Sequence, residues 1–98
     1  MYTPEAWVVV QLSPDLHKVF AGWRGGFATG DSWKLNSGIE KTEETDDAYL
    51  FHGFSGSVYK CYKKLESEAK LGAYNGAVLG KLLAKDPSYK IIHAKELV

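Results

Sequence analysis

The stretch WVVVQL at residues 7–12 and the stretch KVFAGW at residues 18–23 decide how this chain begins to fold. Both are largely apolar, the first is rich in β-branched valine, and Ser13, Pro14 and Asp15 separate them. Because such runs form strands and a Pro-Asp pair favours a turn, the two stretches predict a β-hairpin. The interior of a sheet is expected to start at this hairpin.

Four further segments carry strand signals. Residues 32–35 and 39–43 flank Asn36-Ser37-Gly38, which indicates a turn or a bulge. Residues 49–52 and 57–62 flank Gly53-Phe54-Ser55-Gly56, a connection of hairpin length. The acidic residues 43–47 between these pairs predict a solvated turn.

The apolar period changes after Glu66. Leucine, valine and tyrosine then recur at intervals of three and four, which predicts a helix that ends before Pro87, and residues 89–94 predict a last strand. A strand, a helix and a strand in succession suggest a right-handed crossover. The sequence therefore predicts one α+β domain over residues 1–98, a curved, mostly antiparallel sheet of about five to six strands with one C-terminal helix packed across it.

Three glycines in the predicted helix are spaced by four residues, at Gly72, Gly76 and Gly80. Each interior glycine costs about 0.5–1 kcal/mol of helix propensity relative to alanine, so a compensating close approach is expected. The favoured interpretation is close packing of this face against the sheet. The alternative is a helix–helix contact in a homodimer.

Composition gives no sign of a membrane or of a strong nucleic-acid preference. Twelve basic and twelve acidic residues leave no net charge, so no global field attracts nucleic acid. The single cysteine, Cys61, has no disulfide partner, and neither a signal leader nor an apolar run of ~20 residues is present. We therefore expect a protein of the cytoplasm.

The segment GWRGGFATGDSW at residues 22–33 resembles a phosphate-binding loop only in part. Such a loop needs a lysine just before its final serine or threonine, and Asp31 occupies that position. The segment GFSGS at residues 53–57 resembles a nucleophile elbow, but Ser57 replaces the final glycine. The three histidines share no ligand spacing with one another or with Cys61. The sequence therefore predicts no enzyme, no metal site and no cofactor.

Two segments carry a family resemblance, GGFATGDSWKLNSGI at residues 25–39 and YLFHGFSGSVYKCYK at residues 49–63. In them a Gly-Asp-Ser-Trp motif precedes a Ser-Gly-Ser-x-Tyr motif, and this order resembles that of small accessory proteins of tailed bacteriophages. The matching positions are Gly30, Asp31, Ser32, Trp33, Ser55, Gly56, Ser57 and Tyr59. The resemblance implies a phage protein of the bacterial cytoplasm that acts on host defence or host metabolism.

Polar, glycine-rich loops with aromatic and charged flanks indicate binding rather than catalysis. The predicted binding residues are Arg24, Phe27, Asp31, Ser32, Trp33, Phe54, Ser55 and Tyr59. The first hypothesis is an inhibitor that grips a host protein through these aromatic side chains. The second is a sponge for a small nucleotide-like signal, in which Arg24 and loop amides hold phosphate.

A third hypothesis is a weak nucleic-acid binder, because four lysines lie near two tyrosines within residues 59–70. The lysines are Lys60, Lys63, Lys64 and Lys70, and the tyrosines are Tyr59 and Tyr62.

Overall fold

The computed structural model describes residues 1–25 and 30–98. Within those ranges the chain forms seven β-strands and one α-helix near the C-terminus. They are β1 (Ala6–Ser13), β2 (Leu16–Trp23), β3 (Ser32–Leu35), β4 (Ile39–Glu44), β5 (Ala48–Gly53), β6 (Val58–Tyr62), α1 (Gly72–Leu83) and β7 (Lys90–Ile92). Short 3-10 helices follow β6, precede α1 and follow β7, at Lys63–Leu65, Ala69–Leu71 and Ala94–Leu97.

The described strands belong to two antiparallel sheets. The first has the order β3-β2-β1-β7 and the second has the order β4-β5-β6. The predicted first hairpin is confirmed, since β1 pairs with β2 along its length and Ser13 lies opposite Leu16 across the turn. The second predicted hairpin, from β5 to β6, is also present.

The four-stranded sheet is the middle of three layers, because both of its faces are covered. On one face Trp7 and Val9 pack in a core that includes Tyr49 and Phe51 of the other sheet. On the opposite face Val8 joins a second core of β1, β2 and α1 side chains. An uninterrupted apolar run suits a strand whose two faces are both buried.

The prediction of one sheet of about five to six strands is wrong, although the α+β class is confirmed. The division falls at Asn36-Ser37-Gly38, which carries the chain from β3 in one sheet to β4 in the other. Asn36 fixes the departure, because its backbone N–H donates to the Val19 carbonyl at 3.1 Å and its Oδ1 accepts the Val19 N–H at 2.8 Å. Gly38 then takes a φ of +134°, which favours glycine.

The predicted crossover is wrong as well. The strands before and after α1 lie in different sheets, and β7 pairs antiparallel with β1. Two strands in different sheets cannot form the parallel pair that a crossover connects. The helix does end before Pro87, as predicted.

The glycine face of α1 does not pack against the sheet. Gly72 has a φ of +85° and lies at the junction of the preceding 3-10 helix with α1. A Cβ atom placed at Gly76 or Gly80 would meet no heavy atom within 4 Å among the described residues outside the helix's own backbone. Close packing inside the fold therefore does not explain these two glycines, and the homodimer contact stays a prediction.

Candidate binding groove and polar cleft

The predicted site residues do not gather at one place, and Phe27 lies outside the described residues. Arg24 and Asp31 lie near the start of α1, since Arg24 Nε and Asp31 Oδ2 would both be within 3.7 Å of a Cβ atom at Gly72. The Arg24 guanidinium is engaged there, because its Nη2 donates to the Lys70 carbonyl at 2.7 Å. The Arg24 backbone N–H donates to Glu5 Oε1 at 2.9 Å.

Phe54 lies at the other end of β2. Its ring carbons are 2.7 and 2.8 Å from the position that a Cβ atom at Gly38 would take, and Leu16 Cδ1 is 3.1 Å from the same point. Leu16 begins β2 and Arg24 follows its last residue, so the strand separates them by about 25 Å. Arg24 and Phe54 therefore lie too far apart for one small ligand to contact both, and a working face that includes Arg24, Trp33 and Phe54 stays a prediction for a protein partner.

Trp33 forms one wall of an apolar groove between β3 and α1, which we call the Trp33 groove. The indole stacks on Phe20, with ring centroids 5.5 Å apart and planes 10° from parallel. Phe20 is fully buried, whereas Trp33 keeps 42% of its surface exposed. The groove has a volume of about 320 Å³, and its lining residues are Phe20, Trp33, Leu35, Val78, Lys81, Leu82 and Lys85.

Strand β3 also has an edge without a described neighbouring strand, because it ends the order of its sheet. The Asn36 N–H donates to the Val19 carbonyl, so residue 36 directs its backbone polar groups toward β2. Because this direction alternates along an antiparallel strand, Trp33 and Leu35 direct their N–H and C=O groups away from β2. The groove and the free edge therefore adjoin each other.

A second concave surface lies where β3 approaches the β5–β6 hairpin, and we call it the inter-sheet cleft. Its volume is about 370 Å³, and its lining residues are Tyr2, Lys34, Leu35, Asn36, Ser37, Ser55, Ser57 and Tyr59. The Ser37 hydroxyl donates to Ser55 Oγ at 3.2 Å and accepts the Ser55 N–H at 3.0 Å. The cleft thus brings together two of the predicted site residues, Ser55 and Tyr59.

Asn36 leaves one polar atom of the cleft wall without a partner. The side chain is only 4% exposed, and its Nδ2 makes no hydrogen bond within the described structure. A buried donor left unpaired costs about 1–3 kcal/mol.

Ser32 contributes its backbone to the helix contact. Asn75 is fully buried on α1, and its Nδ2 donates to the Ser32 carbonyl at 3.0 Å. This bond ties the helix to the start of β3, the strand that carries Trp33. The Asn75 Oδ1 has no partner among the described residues.

The lysines proposed for nucleic-acid contact are partly engaged with protein groups. Lys63 Nζ donates to Glu44 Oε2 at 2.6 Å, and this hydrogen bond raises the Lys63 pKa. Lys70 Nζ donates to the Lys64 carbonyl at 2.7 Å. The carboxylate of Glu44 therefore offsets part of the positive charge that these lysines carry.

Cys61 is fully buried, and burial, together with the Glu66 charge, raises the pKa of its thiol. No group of three or more His, Cys, Asp or Glu side chains is placed to hold a metal ion within residues 1–25 and 30–98. Over the same residues, no helix is long and apolar enough to cross a membrane.

Sequence reasoning missed most of the residues that shape the two concave surfaces, above all Lys34, Asn36, Lys81 and Lys85. Alternation along β3 was the available signal, since it places Trp33 and Lys34 on opposite faces of the strand. The packing of β3 beside α1 depends on contacts between segments that are far apart in the sequence, and no local pattern indicates such contacts.

Comparison with models of known protein families, with curated proteins and with solved structures finds no match for this chain.

Proposed function

We propose that this chain is a non-enzymatic binding protein that grips a partner protein at the Trp33 groove. The observation that supports the proposal is the position of the indole, stacked on buried Phe20 but 42% exposed itself. Aromatic side chains that border an apolar pocket are frequent anchors of protein interfaces, and tryptophan is enriched among them.

The proposed occupant is an extended segment of the partner that carries acidic side chains beside apolar ones. The outward N–H and C=O groups of Trp33 and Leu35 are suited to pair with an added strand. Alternate side chains of that strand would then enter the groove. Lys81 and Lys85 line the groove and are exposed, so they favour a segment with carboxylates.

The resemblance to phage accessory proteins extends the proposal to the partner's origin. On that basis the partner is a protein of the bacterial host, the setting is the host cytoplasm, and binding inhibits a host defence. A nucleotide-like ligand held by Arg24 remains the alternative hypothesis, and it requires the Arg24 guanidinium to exchange its bond with the Lys70 carbonyl. The homodimer through Gly76 and Gly80 is a separate proposal.

Affinity capture from bacterial lysate with quantitative mass spectrometry tests the proposal. The immobilised protein should retain one partner at near-stoichiometric yield. Trp33→Ala should lower its affinity about 30-fold, since truncating an interface anchor costs about 2 kcal/mol or more. The double variant Lys81→Glu/Lys85→Glu should also lose the partner, whereas its matched control Lys41→Glu/Lys90→Glu should keep it. Circular dichroism confirms that each variant is folded.

Three outcomes contradict the proposal. Retention of the partner by both Trp33→Ala and the Lys81/Lys85 reversal places the interface elsewhere. Loss of the partner in Phe54→Ala alone moves the interface to the opposite end of β2. A bait that captures no protein, combined with a nucleotide that wild type binds and Arg24→Ala does not, supports the alternative hypothesis.

A further inference from the structure

Lys34 of the inter-sheet cleft and Trp33 of the Trp33 groove point to opposite faces of β3, because they are adjacent in the strand, although Leu35 lines both surfaces. The two surfaces can therefore be tested separately. With a volume of about 370 Å³, the cleft falls within the range of about 300–1,000 Å³ that is typical of small-molecule sites. It is open at its mouth to molecules from solution, since Lys34 and Ser55 are both exposed.

We infer that the inter-sheet cleft binds a small hydroxylated anion, with its phosphate or carboxylate group at Lys34 and its hydroxyl groups among the serines. Lys34 supplies the positive charge, and its Nζ lies 5.1 Å from the centre of the Tyr2 ring. That ring packs beside Tyr59 at a centroid distance of 5.0 Å. None of the described lining residues carries a carboxylate that would repel an anion.

The serine side chains of the cleft are suited to hydrogen-bond the hydroxyl groups of a ligand. A serine hydroxyl both donates and accepts hydrogen bonds, as a ligand hydroxyl does. Ser37, Ser55 and Ser57 line one side of the cleft. Ser37 and Ser55 already hold each other in place through two hydrogen bonds, so this side is ordered before a ligand arrives.

The backbone at Gly53 closes this side of the cleft. A Cβ atom at Gly53 would lie 3.0 Å from Ser37 Oγ, 3.4 Å from Asn36 Nδ2 and 3.4 Å from the Ser57 carbonyl oxygen, so little room is left there. The Ser57 carbonyl accepts the Gly53 N–H at 2.8 Å. The hydroxyl groups of a ligand are therefore expected to bind at the serine side chains that line the cleft.

The experiment is an amide-resolved NMR titration of the full chain with four probes at matched ionic strength. Glycerol 3-phosphate and glycerate carry hydroxyls with a phosphate or a carboxylate, inorganic phosphate carries the anion alone, and glycerol carries hydroxyls alone. We expect saturable shifts at residues 34–37 and 55–59 with the two hydroxylated anions, weaker binding of inorganic phosphate, and the weakest binding of glycerol. Whichever hydroxylated anion binds more tightly identifies the preferred anionic group.

Two variants and one control decide the assignment. Lys34→Ala should weaken both hydroxylated anions about tenfold or more, since a hydrogen bond to a charged group is lost. The control Lys90→Ala removes an equivalent exposed charge outside the cleft and should bind as wild type does. Ser57→Ala removes a serine hydroxyl from a residue that lines the cleft and keeps the Lys34 charge, so it should weaken glycerol 3-phosphate and leave inorganic phosphate nearly unchanged.

The inference is overturned if no probe gives saturable shifts at the cleft, or if Lys34→Ala binds as tightly as wild type. Equal weakening of glycerol 3-phosphate and inorganic phosphate by Ser57→Ala would overturn the hydroxyl part alone. Partner capture at the Trp33 groove is independent of both results, because Trp33→Ala leaves every group of the cleft in place.

Discussion

Replacing Val8 and Val9 one at a time with alanine tests the three-layer arrangement directly. The two residues are adjacent in β1, and both are almost fully buried, at 3% and 0% exposure. They belong to different cores, however, since Val8 packs with the helix side and Val9 packs between the sheets. A sheet covered on one face only would leave one of them in water.

The expected cost is similar at both positions. Each substitution removes two methyl groups, at about 0.8 kcal/mol of transfer free energy per group, and the cavity left behind adds a few tenths of a kcal/mol or more. We therefore expect each variant to lose about 2 kcal/mol of unfolding free energy. Val98→Ala is the control, because Val98 is 56% exposed and its truncation should change stability by less than about 0.5 kcal/mol.

Urea unfolding followed by circular dichroism measures all three variants, and an unchanged m-value shows that the compared states remain the same. A loss below about 0.5 kcal/mol for Val8→Ala would refute the packing of α1 on the four-stranded sheet. The same small loss for Val9→Ala would refute the packing of the two sheets on each other.

The remaining predictions concern glycines and the buried thiol. Gly76→Ala should raise the unfolding free energy by about 0.5–1 kcal/mol, because no described residue outside the helix backbone would contact the new methyl group. A drop in the urea midpoint would contradict this. Gly38→Ala should instead destabilise the fold by about 1 kcal/mol or more, since its φ is +134° and the new Cβ would lie 2.7 Å from the Phe54 ring. A thermal melt equal to that of wild type would count against this contact. Cys61 should react with a thiol reagent slowly in the native protein and rapidly in urea, because burial raises its pKa and blocks access; rapid native labelling would show that the inter-sheet core opens.

Local sequence patterns predicted the individual strands well, because each strand signal depends on only a few neighbouring residues. Segment 32–35 coincides with β3, and the connection at residues 53–56 does join β5 to β6. The sequence did not predict which strands share a sheet, because nothing in the sequences of β3 and β4 indicates that they belong to different sheets. The unbroken apolar run at Val8 and Val9 did hold information about burial on two faces, which the prediction of one curved sheet did not use.

The candidate surfaces were predicted only in part for a related reason. Trp33 lines the groove and Tyr59 lines the cleft. Both are aromatic residues of strands, and both are among the predicted binding residues for that reason. Lys81 and Asn36 could not be connected with them, because the groove and the cleft arise from contacts between segments far apart in sequence. Gly72 misled the helix analysis, since its spacing from Gly76 fits a helical face while its φ of +85° lies outside the helical range.

The pairing of β1 with β7 places a constraint on how the protein is made on the ribosome. Val9 lies opposite Ile92, which follows it by 83 residues. At about 5–20 residues per second, synthesis leaves that edge of β1 without its final partner for about 4–17 s. An unpaired edge is a template for wrong association, so the nascent chain has an interval in which a neighbouring nascent chain competes for β1. Slowing translation between the codons for residues 13 and 92 should therefore lower the yield of folded protein more than slowing it before residue 9.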